Sequence, residues 1–358
     1  MKWLMACTHG TREPASRFRV TQFIPRLRDS GWRVSLRPNH PHRPWRESSS
    51  PVRQLLRNRV GGTLQRLSRA RDVRDAAAYD AVLVNRDLLG INLVFEQRLL
   101  ARNPRVIFDF DDAIFLGDKA AHVEWMCRHA AWVTAGNDYL AAFARQFSER
   151  VTVLPTVVEV GTYVPAVPAY HTQPVRVGWC GSDLSIRQTL FPYLELFARL
   201  QTQLGFTFVI MSKPKPKLPR CGMPWEFVPW SEHAETHLAA HMDIGIMPLV
   251  DNEFQRGKCG LKILQYLAAG IPAVASPVGV NTRIIQHGET GYLASSESDW
   301  FQAIHTLMRA PHRRTAMGQA GRTHCERQYS VERWFPVLLD VIEGVATGRR
   351  TAAEKVRA

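Results

Sequence analysis

Residues 256–279 read Arg256-Gly-Lys-Cys-Gly-Leu-Lys-Ile-Leu-Gln-Tyr-Leu-Ala-Ala-Gly-Ile-Pro-Ala-Val-Ala-Ser-Pro-Val-Gly279, and this stretch decides the fold. An apolar run at 244–248 ahead of it reads as a strand. A loop with Gly257 and Gly260 follows, then a helix over 261–269, a stop at Gly270-Ile-Pro272, and a strand over 273–276. Strand, glycine loop, helix and strand in that order make a βαβ unit of a parallel sheet. Gly257 and Gly260 let the backbone approach a ligand closely. The helix start presents N–H groups at the positive end of its dipole, which is an anion site. Lys258 lies just ahead of the helix and Lys262 in its first turn, where cations oppose the dipole. A bound diphosphate would offset that cost. The plainer reading is a helix start with two exposed lysines. Gln265, one turn on from Leu261, is expected to face the same mouth and bond a ribose hydroxyl.

The same alternation runs outward in both directions. In the first half, residues 2–6, 33–36, 81–85, 106–110, 132–135 and 151–154 read as strands. Residues 18–29, 88–102, 123–131 and 139–146 read as helices between them. The first helix places Val20, Phe23, Ile24 and Leu27 on one side at spacings of three and four. Residues 155–174 hold four prolines and little periodicity, which is a linker pattern. Beyond it, strands at 175–179, 206–211 and 225–228 and helices at 190–204 and 232–241 lead into the opening stretch. A final helix spans 330–345, and the polar tail from Thr347 is expected to fray. The expectation is an α/β protein of two Rossmann-like domains, 1–168 (with the terminal helix) and 175–328.

Bulk composition agrees. A chain of 358 residues suits two domains. Its 45% hydrophobic and 22% charged content is ordinary for a globular protein. Six cysteines stand apart with no metal-type cluster, as reduced thiols of a cytosolic protein would. The apolar start is broken by His9, Arg12 and Glu13, so it reads as a buried strand and not a signal peptide. No run reaches membrane-span length. The net charge of +14 is concentrated: residues 26–74 hold thirteen arginines against Asp29, Glu47 and Asp72. That stretch suits an anionic membrane surface, a lipid diphosphate or an acidic glycan, or it is a solvated helix face. It lacks interleaved aromatics and any nucleic-acid module, so nucleic acid is not expected as a partner.

Three further groups of residues carry chemistry. Asp109, Asp111 and Asp112 follow the strand at 106–108, where open α/β sheets place ligands. Such crowding invites a base or an acceptor-binding role, unless one carboxylate caps a helix and the others are solvated. The same Asp-x-Asp after a strand is also what a phosphatase of the haloacid-dehalogenase type needs, although Asp112 and Ala113 stand where that pattern wants other residues. Gly181, Ser182 and Arg187 follow the strand at 175–179 and could contact phosphate, or Ser182 is a plain helix cap. Ser16, Arg17 and Arg19 after the first strand are acceptor or phosphate candidates. No histidine shows a metal spacing, and His122 and His129 receive no role.

The opening stretch resembles the C-terminal signature of the GT-B glycosyltransferases, in particular the retaining group called glycosyltransferase family 4. Residues 265–276, Gly279 and Gly288-Glu-Thr-Gly291 match it position by position. Residues 15–20, 178–182 and the ending from Met317 through Trp334 extend the likeness over nearly the whole chain. The run Arg256-Gly-Lys-Cys-Gly-Leu-Lys262 resembles a Lys-rich subgroup. The family's two glutamates, eight apart, fall on Gly257 and Gln265, so both carboxylates are absent; Lys258 or Glu253 is left to take over part of that role.

The resemblance implies two domains facing across a cleft, with the last helix crossing back to the first. It implies transfer of a sugar from a nucleoside-diphosphate sugar to a hydroxyl acceptor (a glycan, a lipid-linked sugar or a small molecule), with retention. Cell-surface glycan or glycolipid synthesis is the expected setting, in the cytoplasm or peripherally at the inner membrane face. Lys258, Lys262 and the Asp cluster would act in catalysis; Gly181, Ser182, Arg187, Gly257, Gly260, Gln265, Ser276 and Gly279 would bind the donor. Neither cofactor nor metal is expected, because cations and helix dipoles supply the charge. The missing glutamates keep open a non-catalytic scaffold or regulatory protein of the same fold.

Overall fold

The computed structural model describes residues 2–40, 51–165 and 174–348, apart from the side chains of 40 and 51–59. The middle of the proline-rich joint (166–173), residues 41–50 of the basic stretch and the tail from 349 lie outside the described residues. The chain divides into two compact units, Met1–Thr156 with Trp334–Ala358, and Val157–Arg333.

The first unit is built on six parallel strands: β1 (Lys2–Gly10), β2 (Trp32–His40), β3 (Ala81–Asn85), β4 (Val106–Phe110), β5 (Trp132–Ala135) and β6 (Val151–Val153). Their order is β2-β1-β3-β4-β5-β6, so the chain reverses direction across the sheet between β1 and β3. Every residue of β3, β4 and β5 is buried, as expected of parallel strands covered on both faces. β1 and β2 run longer than their apolar cores, in register from Lys2 opposite Trp32 to Gly10 opposite His40.

The helix expected over 18–29 is interrupted. Pro14–Arg19 and Ile24–Asp29 are α-helical, with a 3-10 turn at Thr21–Phe23 between them. Pro25 lacks an N–H and is accommodated in the first turn of the second piece. The apolar face survives the break, since Val20, Phe23, Ile24 and Leu27 are all buried. The helix expected from 88 begins only at Val94. The basic stretch contains a 25-residue helix, Pro51–Asp75. The terminal helix Val331–Thr347 joins the first unit from Trp334 on, and Lys2 pairs with its Glu343.

The second unit has β7 (Arg176–Cys180), β8 (Thr207–Ser212), β9 (Trp225–Pro229), β10 (Ile244–Met247), β11 (Ala273–Ala275) and β12 (Gly291–Leu293). Their order is β12-β11-β10-β7-β8-β9, all parallel, and the reversal falls between β7 and β10. Phe197, Phe208 and Trp300 pack beneath the sheet, with the Phe197 and Trp300 rings edge to face at 5.3 Å. Helix Pro311–Tyr329 lies against helix Leu261–Ala268, and a Cβ on Gly318 would stand 2.0 Å from the Gly270 carbonyl oxygen.

The first domain was expected to extend to 168, but residues 157–165 belong to the second unit. Val158 N–H donates to Tyr329 O, Val164 N–H donates to Thr236 O, and Arg322 reaches the carbonyls of Val160 and Tyr163. Among the described residues no helix is long and apolar enough to cross a membrane. None of the six cysteines is in a disulfide, and burial pushes the thiols of Cys7, Cys127 and Cys325 up to about 12.

Candidate functional site

In the second unit, strands β7 and β10 pair only at Val177–Ile244 and Gly178–Gly245, and then part. The Tyr266 hydroxyl spans the gap, accepting from Cys180 N–H at 3.1 Å and donating to Ile246 O at 3.3 Å. Burial raises this phenol well above its ordinary value, so it stays a neutral donor. Gly245 makes room for it, since a Cβ there would stand 2.3 Å from the Tyr266 ring. A crevice at the carboxyl ends of strands, where the sheet order reverses, is where open α/β sheets bind ligands.

Two crossover segments converge on this crevice. After β7, Gly181 N–H donates to Met211 O, and Ser182 caps helix Asp183–Thr189 by accepting from Ser185 N–H at 3.2 Å. After β10, Gly260 turns in the left-handed conformation (φ 70°) and starts helix Leu261–Ala268. The first backbone bond of that helix runs from Leu264 N–H to Gly260 O, so the preceding amides face outward along its axis. From its first turn Lys262 donates to Ser185 Oγ at 2.8 Å, with its ammonium 5.3 Å from the Trp179 ring centre. A Cβ on Gly181 would lie 2.5 Å from the Trp179 ring and 2.9 Å from Lys262 Cε. Gly181 is therefore required for the close packing of that lysine. The result is a held cation, hydroxyls and outward amides on one side of one crevice, which is a cradle for a polyanion.

The other donor candidates divide. Gly279 has φ 56°, and a Cβ there would stand 2.7 Å from Arg256 O, so the two ends of the opening stretch touch. Gly279→Ala is expected to destabilise the protein by about 1–2 kcal/mol, from the left-handed backbone alone, and to weaken nucleotide binding. A thermal melt with and without nucleotide reads both effects, and an unchanged melt would contradict the close approach. Ser276 Oγ accepts from Leu249 N–H at 2.9 Å and so ties together the ends of β10 and β11. Gly257 closes the short helix Glu253–Arg256, and Lys258 stands 4.6 Å over the Phe254 ring. Gln265 was expected at the mouth but is only 4% exposed and donates to Tyr163 Oη at 3.3 Å. Arg187 was expected to reach phosphate; it pairs with the exposed Asp183 on its own helix at 3.2 Å, an interaction of little energetic weight.

The first unit corrects the reading of the aspartates. β4 runs to Phe110, so Asp109 lies within the strand and only Asp111 and Asp112 follow it. Asp109 is 2% exposed, and its carboxylate takes both Arg19 Nε at 3.1 Å and Arg19 Nη2, together with Asn85 and Thr134. Arg19 also donates to Leu154 O. Two residues expected to meet substrate thus meet each other inside the unit. Ser16 is buried, and Arg17 lies against the Phe18 ring. The phosphatase reading needs Asp109 as an open nucleophile, and the buried network around its carboxylate withholds it.

Asp111 and Asp112 are instead gathered by Arg86, at 2.8 Å from Nε and 2.6 Å from Nη2. Arg86 adopts φ 67°, a left-handed backbone uncommon outside glycine, directly after β3. Burial and the neighbouring Asp112 raise the Asp111 carboxyl, against the opposing pull of Arg86. The sheet reversal between β1 and β3 holds a group that sequence reading missed: buried Asp87 with His9 at 3.1 Å and Lys119 at 2.5 Å, both partly exposed. Burial alone would raise Asp87, but His9 and Lys119 outweigh it and hold the carboxyl well below its usual range. The available signal was positional, since Thr8-His9 and Arg86-Asp87 stand at the carboxyl ends of the two strands. Among the described residues no group of three His, Cys, Asp or Glu is arranged to hold a metal ion.

Comparison with known proteins bears on the second unit most directly. Residues 175–310 match the family model described as Glycosyl transferases group 1. A stretch of 108 residues is 36% identical to the D-inositol 3-phosphate glycosyltransferase of Paenarthrobacter aurescens (strain TC1), covering 30% of this chain and 25% of that relative. The match thus spans about a quarter of the curated relative's length. Among solved structures, the sucrose-phosphate synthase from Thermosynechococcus elongatus superposes over 97% of this chain and 100% of that chain, with a TM-score of 0.71 and 16% identity. HepE from Anabaena, solved in complex with UDP-glucose, superposes over 96% and 100%, with a TM-score of 0.68 and 16% identity. Residues 175–310 therefore form a glycosyl transferases group 1 domain, and the fold of the chain is GT-B.

Proposed function

We propose that this chain, carrying a group 1 domain over 175–310, is a retaining glycosyltransferase that moves a sugar from a nucleoside-diphosphate sugar to a hydroxyl acceptor. The observation that carries the reading is the Lys262–Ser185 contact across the β7/β10 crevice, beside a helix start whose amides face outward. In the transfer, the bond between the anomeric carbon and the β-phosphate oxygen breaks, and its electron pair leaves with the diphosphate. The acceptor oxygen bonds the same carbon, and its proton passes to an oxygen of the departing diphosphate. Negative charge grows on the diphosphate as that bond lengthens, and a fixed ammonium with oriented N–H donors stabilises it more than the ground state. UDP-glucose bound to HepE, a protein of the same fold, supports a donor of this class.

The proposal includes metal independence, because Lys262 and the helix dipole supply positive charge where the diphosphate would sit. Turnover unchanged by a chelator is the expected result, and loss of turnover restored by a divalent cation would overturn it. It also places the acceptor among cell-surface glycans or glycolipids. Gly257 and Gln265 in place of two carboxylates motivate the rival reading, a scaffold without turnover. A panel of sugar nucleotides, scored for thermal stabilisation and for slow hydrolysis of the sugar, separates the two. Stabilisation with release of the sugar is expected; no response to any nucleotide favours the scaffold.

A further inference from the structure

The basic helix Pro51–Asp75 carries an apolar stripe that folding does not account for. Arg69, Asp72 and Val73 face the unit: Arg69 is fully buried, pairs with Asp72 at 2.8 Å and donates to the carbonyls of Thr8, Arg37 and Leu88. On the opposite side, at spacings of four and three, stand Val60, Leu64 and Leu67, which are 53%, 50% and 55% exposed. Arg71 and Arg74 continue the same face, and exposed Arg66 flanks it. The helix holds seven arginines against two aspartates, a net charge of +5, and the buried Arg69 is matched by the buried Asp72. Positive charge therefore remains around the apolar stripe.

The direction of the helix adds a second point. Arg69 sits level with Thr8 and Leu88, near the carboxyl ends of β1 and β3. Val60 lies nine residues nearer the helix start, about 13 Å further along at 1.5 Å per residue. The Val60 end of the stripe thus reaches past the carboxyl ends of β1 and β3, while Leu67 stands level with them.

We infer that this face docks on an anionic lipid bilayer. Val60, Leu64 and Leu67 enter the interfacial region while Arg66 and Arg71 meet the headgroup phosphates; Arg74 is held by Asp75 at 2.8 Å. Apolar residues flanked by arginines on a surface helix are suited to that boundary, where each part finds its own solvent. The docking is separate from donor binding, so its failure would leave the reading of the β7/β10 crevice untouched.

The test is sedimentation of the full chain with phosphatidylcholine vesicles, with and without phosphatidylglycerol. Binding is expected only with phosphatidylglycerol, weakening as salt rises. Arg66→Ala with Arg71→Ala should weaken it on the order of twenty-fivefold, at about fivefold per arginine. Leu64→Ser with Leu67→Ser should weaken it in both low and high salt, while Lys215→Ala with Lys217→Ala, in an exposed loop of the second unit, leaves it unchanged. Far-UV circular dichroism and thermal melts identify any variant that fails to fold, and the arginine and leucine pairs serve as independent checks. Three outcomes overturn the inference: no preference for phosphatidylglycerol, binding that follows Lys215 and Lys217 instead, or retention by RNA or a polyanion resin without vesicle binding.

Discussion

Replacing Lys262 by alanine is expected to lower turnover by about 10²–10³-fold, the range for removing one preorganised donor from a developing negative charge. The fold should scarcely respond. Its hydrogen bond to Ser185 and its contact with the Trp179 ring are each on the order of 1 kcal/mol or less. Removing a cation from the positive end of a helix dipole returns a few tenths of a kcal/mol. The expected signature is a fall in kcat with a smaller change in KM, because the ammonium interacts most strongly with the charge that appears as the bond lengthens. Ser185→Ala should show a milder fall, since it removes only the group that positions the ammonium. A Lys262→Ala enzyme with unaltered kcat would show that the cation is a surface feature.

The second large effect lies in the first unit and concerns stability. Asp109→Ala should cost about 3–5 kcal/mol, the usual penalty for stranding one member of a buried ion pair. It takes the hydrogen-bonded carboxylate from the buried Arg19 guanidinium, and removes the acceptor of Asn85 and Thr134. Arg19→Ala should cost a similar amount for the mirror-image reason. Replacing both by leucine should cost less than the sum of the two single changes, because no charge is left unpaired. Urea unfolding of the four proteins measures this directly. If Asp109→Ala melted like the parent and lost only turnover, the aspartate would be a catalytic group after all.

The sequence disclosed most where local pattern and tertiary role coincide. Strands 81–85, 106–110 and 132–135 are short apolar runs between turns, and buried parallel strands have no other way to look. The helix starting after Gly260 was visible because glycine is the residue that tolerates the left-handed turn preceding it. Asp109 and Arg19 are ninety residues apart, and nothing in either neighbourhood announces the other; their pairing follows from β4 lying near the end of the first helix. Lys262 and Ser185 are linked in the same non-local way, by the reversal of sheet order between β7 and β10. The left-handed Arg86 could not be read at all, since only the surrounding structure holds a non-glycine residue there. Local reading therefore recovered the layers and the helix after Gly260, while the side-chain partnerships of the candidate site depended on strand order.

Recognition of a diphosphate in the β7/β10 crevice is expected to depend on Lys262. Isothermal titration of UDP and UMP, or GDP and GMP if the base differs, into the parent and Lys262→Ala tests it by a thermodynamic cycle. The parent is expected to bind the diphosphate at least about tenfold more tightly than the monophosphate, a difference of about 1.4 kcal/mol, and Lys262→Ala to erase most of that preference. Equal preference for the diphosphate in both proteins would contradict it.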